Sequence, residues 1–183
     1  MKKDALAVST FPPCHGKIFK GLPVPEQIGV LALQGDFEAH SRAFGAREIR
    51  RAHEIDALDA LILPGGESTT MLNLCEGSGI EEAVKRLVAR GGIVFGTCAG
   101  AILLAREVNN PRQHSWGLID IAIERNAYGR QTDSFQEAGR IFIRAPRIRH
   151  VGPEVEVLES REGEPIYVRQ ERVFAATYHP ELV

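Results

Sequence analysis

Three short apolar runs, each closed by a glycine-bearing turn, restrict what this chain can fold into. They are "IGVLALQGD" (28–36), "ALDALILPGGEST" (57–69) and "GIVFGTCAGAILLA" (91–104). The first and third read as buried strands followed by a turn, and the second as a strand from Leu58 to Leu63 that breaks at Pro64-Gly65-Gly66. Strands apolar on both faces need cover on both faces. The segments between them supply it. "FEAHSRAF" (37–44) can form a short helix, and Ser68 or Thr69 is placed to cap a helix through "TMLNLCEGSG". "IEEAVKRLVARGG" (80–92) sets apolar residues at 80, 83 or 84, 87 and 88 among charges, an amphipathic helix ending at glycine. The expected fold is α/β: three layers, a mostly parallel central sheet with helices on both faces, flavodoxin-like. After about residue 115 the texture changes to short alternating runs, expected to extend the sheet with additional antiparallel strands.

A chain of 183 residues suffices for one domain with its own core. Residues 28–183 are read as that domain. Residues 1–27, punctuated by Pro and Gly and without apolar periodicity, are read as a disordered N-terminal extension. A net charge of −2 gives no electrostatic reason to expect nucleic acid or an anionic membrane as partner. No apolar run approaches the roughly 20 residues of a membrane span, and no secretory h-region follows "MKK". Cys14, Cys75 and Cys98 are irregularly spaced, which fits neither a disulfide framework nor a zinc site. The expected compartment is the reducing cytoplasm, and no metal site or cofactor is expected.

Cys98 differs from the other two. In Gly96-Thr97-Cys98-Ala99-Gly100 it lies between an apolar strand and a helix, the cysteine counterpart of the G-x-S-x-G nucleophile elbow. Glycines two residues away on either side relieve crowding around a strained turn. The helix N-terminus favours thiolate, and the Ala99 N–H faces the side where an oxyanion forms. Cys75, at helical spacing from Met71 and Leu72, reads as packing. A thiol nucleophile needs a base and a group that orients the base. His15 lies in the arm, His40 and His53 in charged or helical early segments, His114 in a polar loop and His150 after an arginine-rich strand. His179 stands apart, because "FAATYHPEL" runs from an apolar strand into a stiff His-Pro turn with Glu181 two residues on.

Together these residues resemble the Cys-His-Glu triad of class I, triad-type glutamine amidotransferases. The blocks "VLALQGD", "LILPGGESTTM", "GTCAGAILLA", "IERNAYGRQTDSF" and "FIRAP" closely resemble the family of glutaminase subunits of pyridoxal 5′-phosphate synthase. The resemblance implies hydrolysis of L-glutamine to L-glutamate and ammonia, with ammonia passed to a separate synthase subunit in a hetero-oligomeric complex. Carried over by motif, Cys98 is the nucleophile, His179 the general acid/base and Glu181 its orienting partner. Gly66, Glu67 and Ser68 match the family's glutamine-binding loop, and Arg125, Ile143 and Arg144 its other glutamine contacts. Ala99 and Gly66 are the backbone candidates for the oxyanion hole. The turn around Gln34 resembles a segment near both the active site and the partner subunit. A glutamine pocket needs cationic groups for the carboxylate, met by Arg125 and Arg144, and an acceptor for the ammonium, met by Glu67 or a carbonyl. The family continues past the "HPE" motif into a C-terminal helix, which is expected to be lacking here. The competing reading is a catalytically impaired binding or regulatory subunit that keeps the fold and partner surface.

Overall fold

The computed structural model describes residue 22 and residues 24–125, 127, 135–137 and 140–182. Most of the arm expected over residues 1–27, and most of the "NAYGRQTDS" stretch, lie outside the described residues. The first half of the chain alternates strand and helix. Its elements are β1 (Ile28–Leu31), α1 (Phe37–Phe44), β2 (Arg47–Ile49), α2 (Ala52–Ile55), β3 (Ala60–Leu63), α3 (Ser68–Cys75), α4 (Ile80–Ala89), β4 (Ile93–Thr97) and α5 (Ala99–Leu104). The second half is strand-rich: β5 (Ala105–Asn109), β6 (Ile119–Glu124), β7 (Phe135–Glu137), β8 (Arg140–Phe142), β9 (Arg147–Val151), β10 (Glu156–Arg161), β11 (Glu164–Gln170) and β12 (Val173–Ala176). A 3-10 turn at Pro180–Leu182 follows.

Seven strands form the central sheet in the order β10-β11-β12-β4-β3-β1-β2. Neighbours from β12 through β2 are parallel, and β10, β11 and β12 pair antiparallel. Period-2 alternation sends successive side chains to opposite faces. Leu61, Leu63 and Val94 join one core with the buried stripe of α4 (Ile80, Ala83, Val84, Leu87). Ile62, Phe95 and Phe174 join a second core with Phe44 of α1. Phe44 is fully buried, which stabilises the docking of α1 by about 1.5–3 kcal/mol.

Three departures from the sequence reading have local causes. The second strand starts at Ala60 rather than Leu58 because Asp59 clamps the entering chain. Its carboxylate accepts from the Glu26 and Gln27 N–H groups (3.1 and 2.9 Å), and its own N–H donates to the Gln27 carbonyl (2.9 Å). The cap of α3 is Glu67, not Ser68 or Thr69; its carboxylate accepts from the Thr69 and Thr70 N–H groups. The late strands do not all extend the central sheet. β5, β6 and β9 form a separate three-stranded sheet and β7–β8 a hairpin. Along β6 only alternate residues are fully buried, a pattern for a strand covered on one face rather than for a sheet interior.

Candidate active site

β4 is buried along its length between β3 and β12, and the chain leaves it through Cys98 at φ 47°, ψ −103°. Such a conformation costs a non-glycine residue on the order of 1–3 kcal/mol and persists only where its surroundings enforce it. The surroundings here are close. The Cys98 N–H donates to the Ala176 carbonyl of β12 (2.8 Å), and the Gly100 N–H to the Pro64 carbonyl beyond β3 (3.1 Å). A Cβ at Gly100 would lie 2.1 Å from the Leu63 oxygen, and one at Gly96 would lie 2.6 Å from the Gly100 carbonyl. The two glycines let β4, α5 and the end of β3 meet. The Cys98 thiol is 3.9 Å from the Ile143 carbonyl oxygen.

His179 arrives from the neighbouring strand. Past β12 its N–H donates to the Ile141 carbonyl (2.8 Å), tying the segment to β8. The 3-10 turn then folds Glu181 back, so that Glu181 Oε1 lies 2.7 Å from His179 Nδ1. The His179 ring packs on Gly65, where a Cβ would sit 2.3 Å from Cε1. That glycine makes room for the imidazole, a reason the sequence did not reveal. Both side chains are almost fully buried. Burial opposes the imidazolium, but contacts with Cys98 and Glu181 outweigh it and push His179 up to about 10. With Nδ1 on Glu181, the ring meets Cys98 through its other nitrogen.

The "QGD" turn docks on the "PGGE" turn. The Asp36 N–H donates to the Gly65 carbonyl (3.0 Å), and Gln34 Oε1 accepts from the Glu67 N–H (2.9 Å). The Glu67 carboxylate accepts from the Thr69 N–H, the Thr70 N–H and hydroxyl, and Arg125 Nη2 (3.2 Å). Partial burial favours its neutral form, yet the Thr70 and Thr69 donors hold it below the usual carboxylate range. Four donors fill a carboxylate's acceptor capacity. Arg125 also donates to Thr69 Oγ1 (3.1 Å). Ser68 is buried and donates to Gln113 Oε1 (3.2 Å). Neither the Ala99 nor the Gly66 N–H donates to a backbone acceptor among the described residues.

A cavity of about 200 Å³ gathers Cys98, His179, Gly66, Glu67, Ser68, Arg125, Ile143 and Arg144, together with Gln34 and Ile102. Every side chain expected to bind glutamine therefore borders one space with Cys98 and His179; Glu181 stands behind His179. A larger cavity of about 740 Å³ lies along α3 and α4 beside Cys75, His114 and Trp116. Burial pushes the Cys75 thiol up to about 11, so that cavity holds no thiolate at neutral pH. Cys75 packs in the core as expected.

The sequence reading passed over His40. It is fully buried, with Nε2 3.2 Å from Glu181 Oε2 and 3.0 Å from Thr97 Oγ1. Its signal was present: four residues before Phe44, it shares the buried face of α1.

The parallel sheet, the strained cysteine turn and the His-Glu pair from the next strand define the glutamine amidotransferase class. A crystal structure of a glutamine amidotransferase superposes with a TM-score of 0.79 at 44% identity, covering 85% of this chain and 91% of that one. The model of the SNO glutamine amidotransferase family matches residues 30–183, and the chain belongs to that family. Two similar relatives carry the name pyridoxal 5′-phosphate synthase subunit PdxT. One, from Koribacter versatilis, is 47% identical over 85% of this chain and 88% of its own length. The other, from Thermus thermophilus, is 48% identical over 85% and 90%. Among the described residues no helix is long and apolar enough to cross a membrane.

Proposed function

We propose that this chain is the glutaminase subunit of a pyridoxal 5′-phosphate synthase. It hydrolyses L-glutamine to L-glutamate and ammonia in the cytoplasm and hands the ammonia to a synthase subunit in a hetero-oligomeric complex. Family membership and the names of its relatives support the assignment. The observation that carries it is the meeting of Cys98 and His179, backed by Glu181, at a cavity small enough for one amino acid and bordered by Arg125 and Arg144.

In this reading Arg125 and Arg144 take the glutamine α-carboxylate by charge-assisted hydrogen bonds. Glu67 is spent on capping α3 and holding Arg125, so a backbone carbonyl faces the α-ammonium. With its proton held on His179, Cys98 attacks the side-chain amide carbon. The Ala99 and Gly66 N–H groups hold the oxyanion, where a single donor is worth about 10²–10³ in rate. His179 protonates the departing nitrogen, ammonia leaves, and a γ-glutamyl thioester remains on Cys98. Water deprotonated by the same histidine adds to the thioester and releases glutamate. Glu181 keeps Nδ1 protonated and the ring aimed at Cys98 throughout.

The test is glutamate release from L-glutamine by the full chain, with and without the synthase subunit, beside Cys98→Ala. Release that rises with the partner and vanishes in the variant supports the reading. A wild type that binds the synthase subunit and releases no glutamate overturns it in favour of a binding or regulatory subunit.

A further inference from the structure

His40 is a buried titratable group to which the steps above give no task. Its ring is held on several sides. Nδ1 lies 2.9 Å from the Asp36 carbonyl oxygen, Nε2 lies 3.0 Å from Thr97 Oγ1 and 3.2 Å from Glu181 Oε2, and Phe44 stacks at 6.0 Å between centroids. A carbonyl oxygen only accepts, so Nδ1 carries a hydrogen. The state of Nε2 then decides whether Glu181 is held or repelled. Apart from this approach, Glu181 Oε2 has no partner among the described residues. A neutral ring beside an ionised carboxylate would set a lone pair against a buried, unsatisfied oxygen. One proton between Nε2 and Oε2 satisfies both atoms, and the pair then carries no net charge.

The groups facing His40 come from three elements. Asp36 begins its own helix, Thr97 ends β4, and Glu181 and His179 belong to the turn after β12. Burial sets the balance and leaves the ring's affinity for a second proton below that of an ordinary imidazole; His179 adds to the lowering, while Glu181 and the Asp36 carbonyl pull against it.

We infer that His40 is a positioning residue for the glutaminase reaction: its Nε2, 3.2 Å from Glu181 Oε2, holds that carboxylate in place, so that Oε1 keeps His179 aimed at Cys98. The inference rests on the function proposed above. A terminal carboxylate torsion is broad and two-fold, so one anchored oxygen leaves the carboxylate plane free. Anchoring Oε1 on His179 and Oε2 on His40 fixes the plane and with it the histidine. The same residue reaches the other wall of the site. Its Nδ1 holds the Asp36 carbonyl, and the Asp36 N–H holds Gly65, on which the His179 ring rests. The acid/base residue is thus supported from behind and from below through one side chain.

Two substitutions separate this role from packing. His40→Gln places an amide N–H where Nε2 lies and keeps the hold on Glu181. His40→Asn places one where Nδ1 lies and keeps only the hold on Asp36. Both are assayed as full chains with the synthase subunit, with thermal unfolding as the folding check. The expected result is a kcat lowered about 10–100-fold in His40→Asn, the scale of a small misplacement of reacting groups. KM stays near wild type there, because His40 does not border the cavity. His40→Gln recovers most of the kcat. In the isolated chain, the ¹⁵N shift of His179 Nδ1 moves in His40→Asn and stays in His40→Gln, a readout independent of turnover. Equal losses of kcat in both variants, a preserved kcat in His40→Asn, or an unmoved His179 resonance overturns the inference. A silent wild type sinks the glutaminase reading, and the resonance then decides this one alone.

Discussion

Substituting Gly100 by alanine strikes the elbow from outside, leaving Cys98, His179 and Glu181 unchanged in identity. The new Cβ would lie 2.1 Å from the Leu63 oxygen and 2.8 Å from the Leu63 Cβ, at the end of β3. Ordinary carbon–oxygen contact begins near 3.3 Å, so the first turn of α5 and the end of β3 must part by roughly 1 Å. The Gly100–Pro64 hydrogen bond (3.1 Å) spans that gap, and its rupture would shift Cys98 relative to the Pro64–Gly66 turn. Overpacking of this kind costs about 1–3 kcal/mol, which lowers Tm by about 2–12 °C in a chain of this size. A misplacement near 1 Å costs on the order of 100-fold in rate. The assay pairs thermal unfolding with glutamate release in the presence of the synthase subunit. Gly45→Ala is the control. Gly45 ends α1 at φ 62° with open space around it, so it loses about 1–2 kcal/mol without touching the elbow. Gly100→Ala should lose far more activity than Gly45→Ala at comparable stability. Wild-type rate and Tm in Gly100→Ala would refute the close-approach argument.

Two further outcomes follow from the site's electrostatics. Burial works against the His179 imidazolium, yet Cys98 and Glu181 raise its affinity for a proton from the ordinary 6.5 to about 10. A proton held more tightly in the folded state contributes stability that is fully present below 6.5 and is lost as pH rises through about 10. Glu181→Gln removes part of that pull, so denaturant unfolding should show the stability gap between wild type and variant narrowing across this window; a gap that widens toward alkaline pH contradicts the pairing. Arg125→Ala should raise the glutamine KM by about 10–100-fold, the worth of a charge-assisted hydrogen bond, with a smaller effect on kcat. A lowered kcat at unchanged KM would place Arg125 in the chemical step instead.

Much of the fold was legible because the chain states it in strong local patterns. The apolar runs at 28–31, 60–63 and 93–97 became adjacent parallel strands, and the stripe on α4 became its buried face. β2 and α2 were missed because three and four residues carry no readable period. The separate sheet of β5, β6 and β9 was missed because alternation reports one covered face without saying which sheet a strand joins. In the site, Cys98 announced itself through its glycines, and His179 through a strand running into His-Pro-Glu. Gly65 gave no such cue, and the spacing of His40 from Phe44 signalled burial without signalling a place in the site. Their importance arises from contacts with His179 and Glu181, more than a hundred residues away in sequence, which only the folded chain assembles.

The central claim is that Cys98 carries the glutamyl group during turnover. Rapid acid quenching of the full chain turning over L-glutamine with its synthase subunit, followed by intact-protein mass measurement and peptide mapping, tests this directly. The account predicts a γ-glutamyl adduct on the Cys98 peptide, absent from Cys98→Ala, which also releases no glutamate. Glutamate release that continues in Cys98→Ala, or an adduct that maps to Cys75, would contradict it.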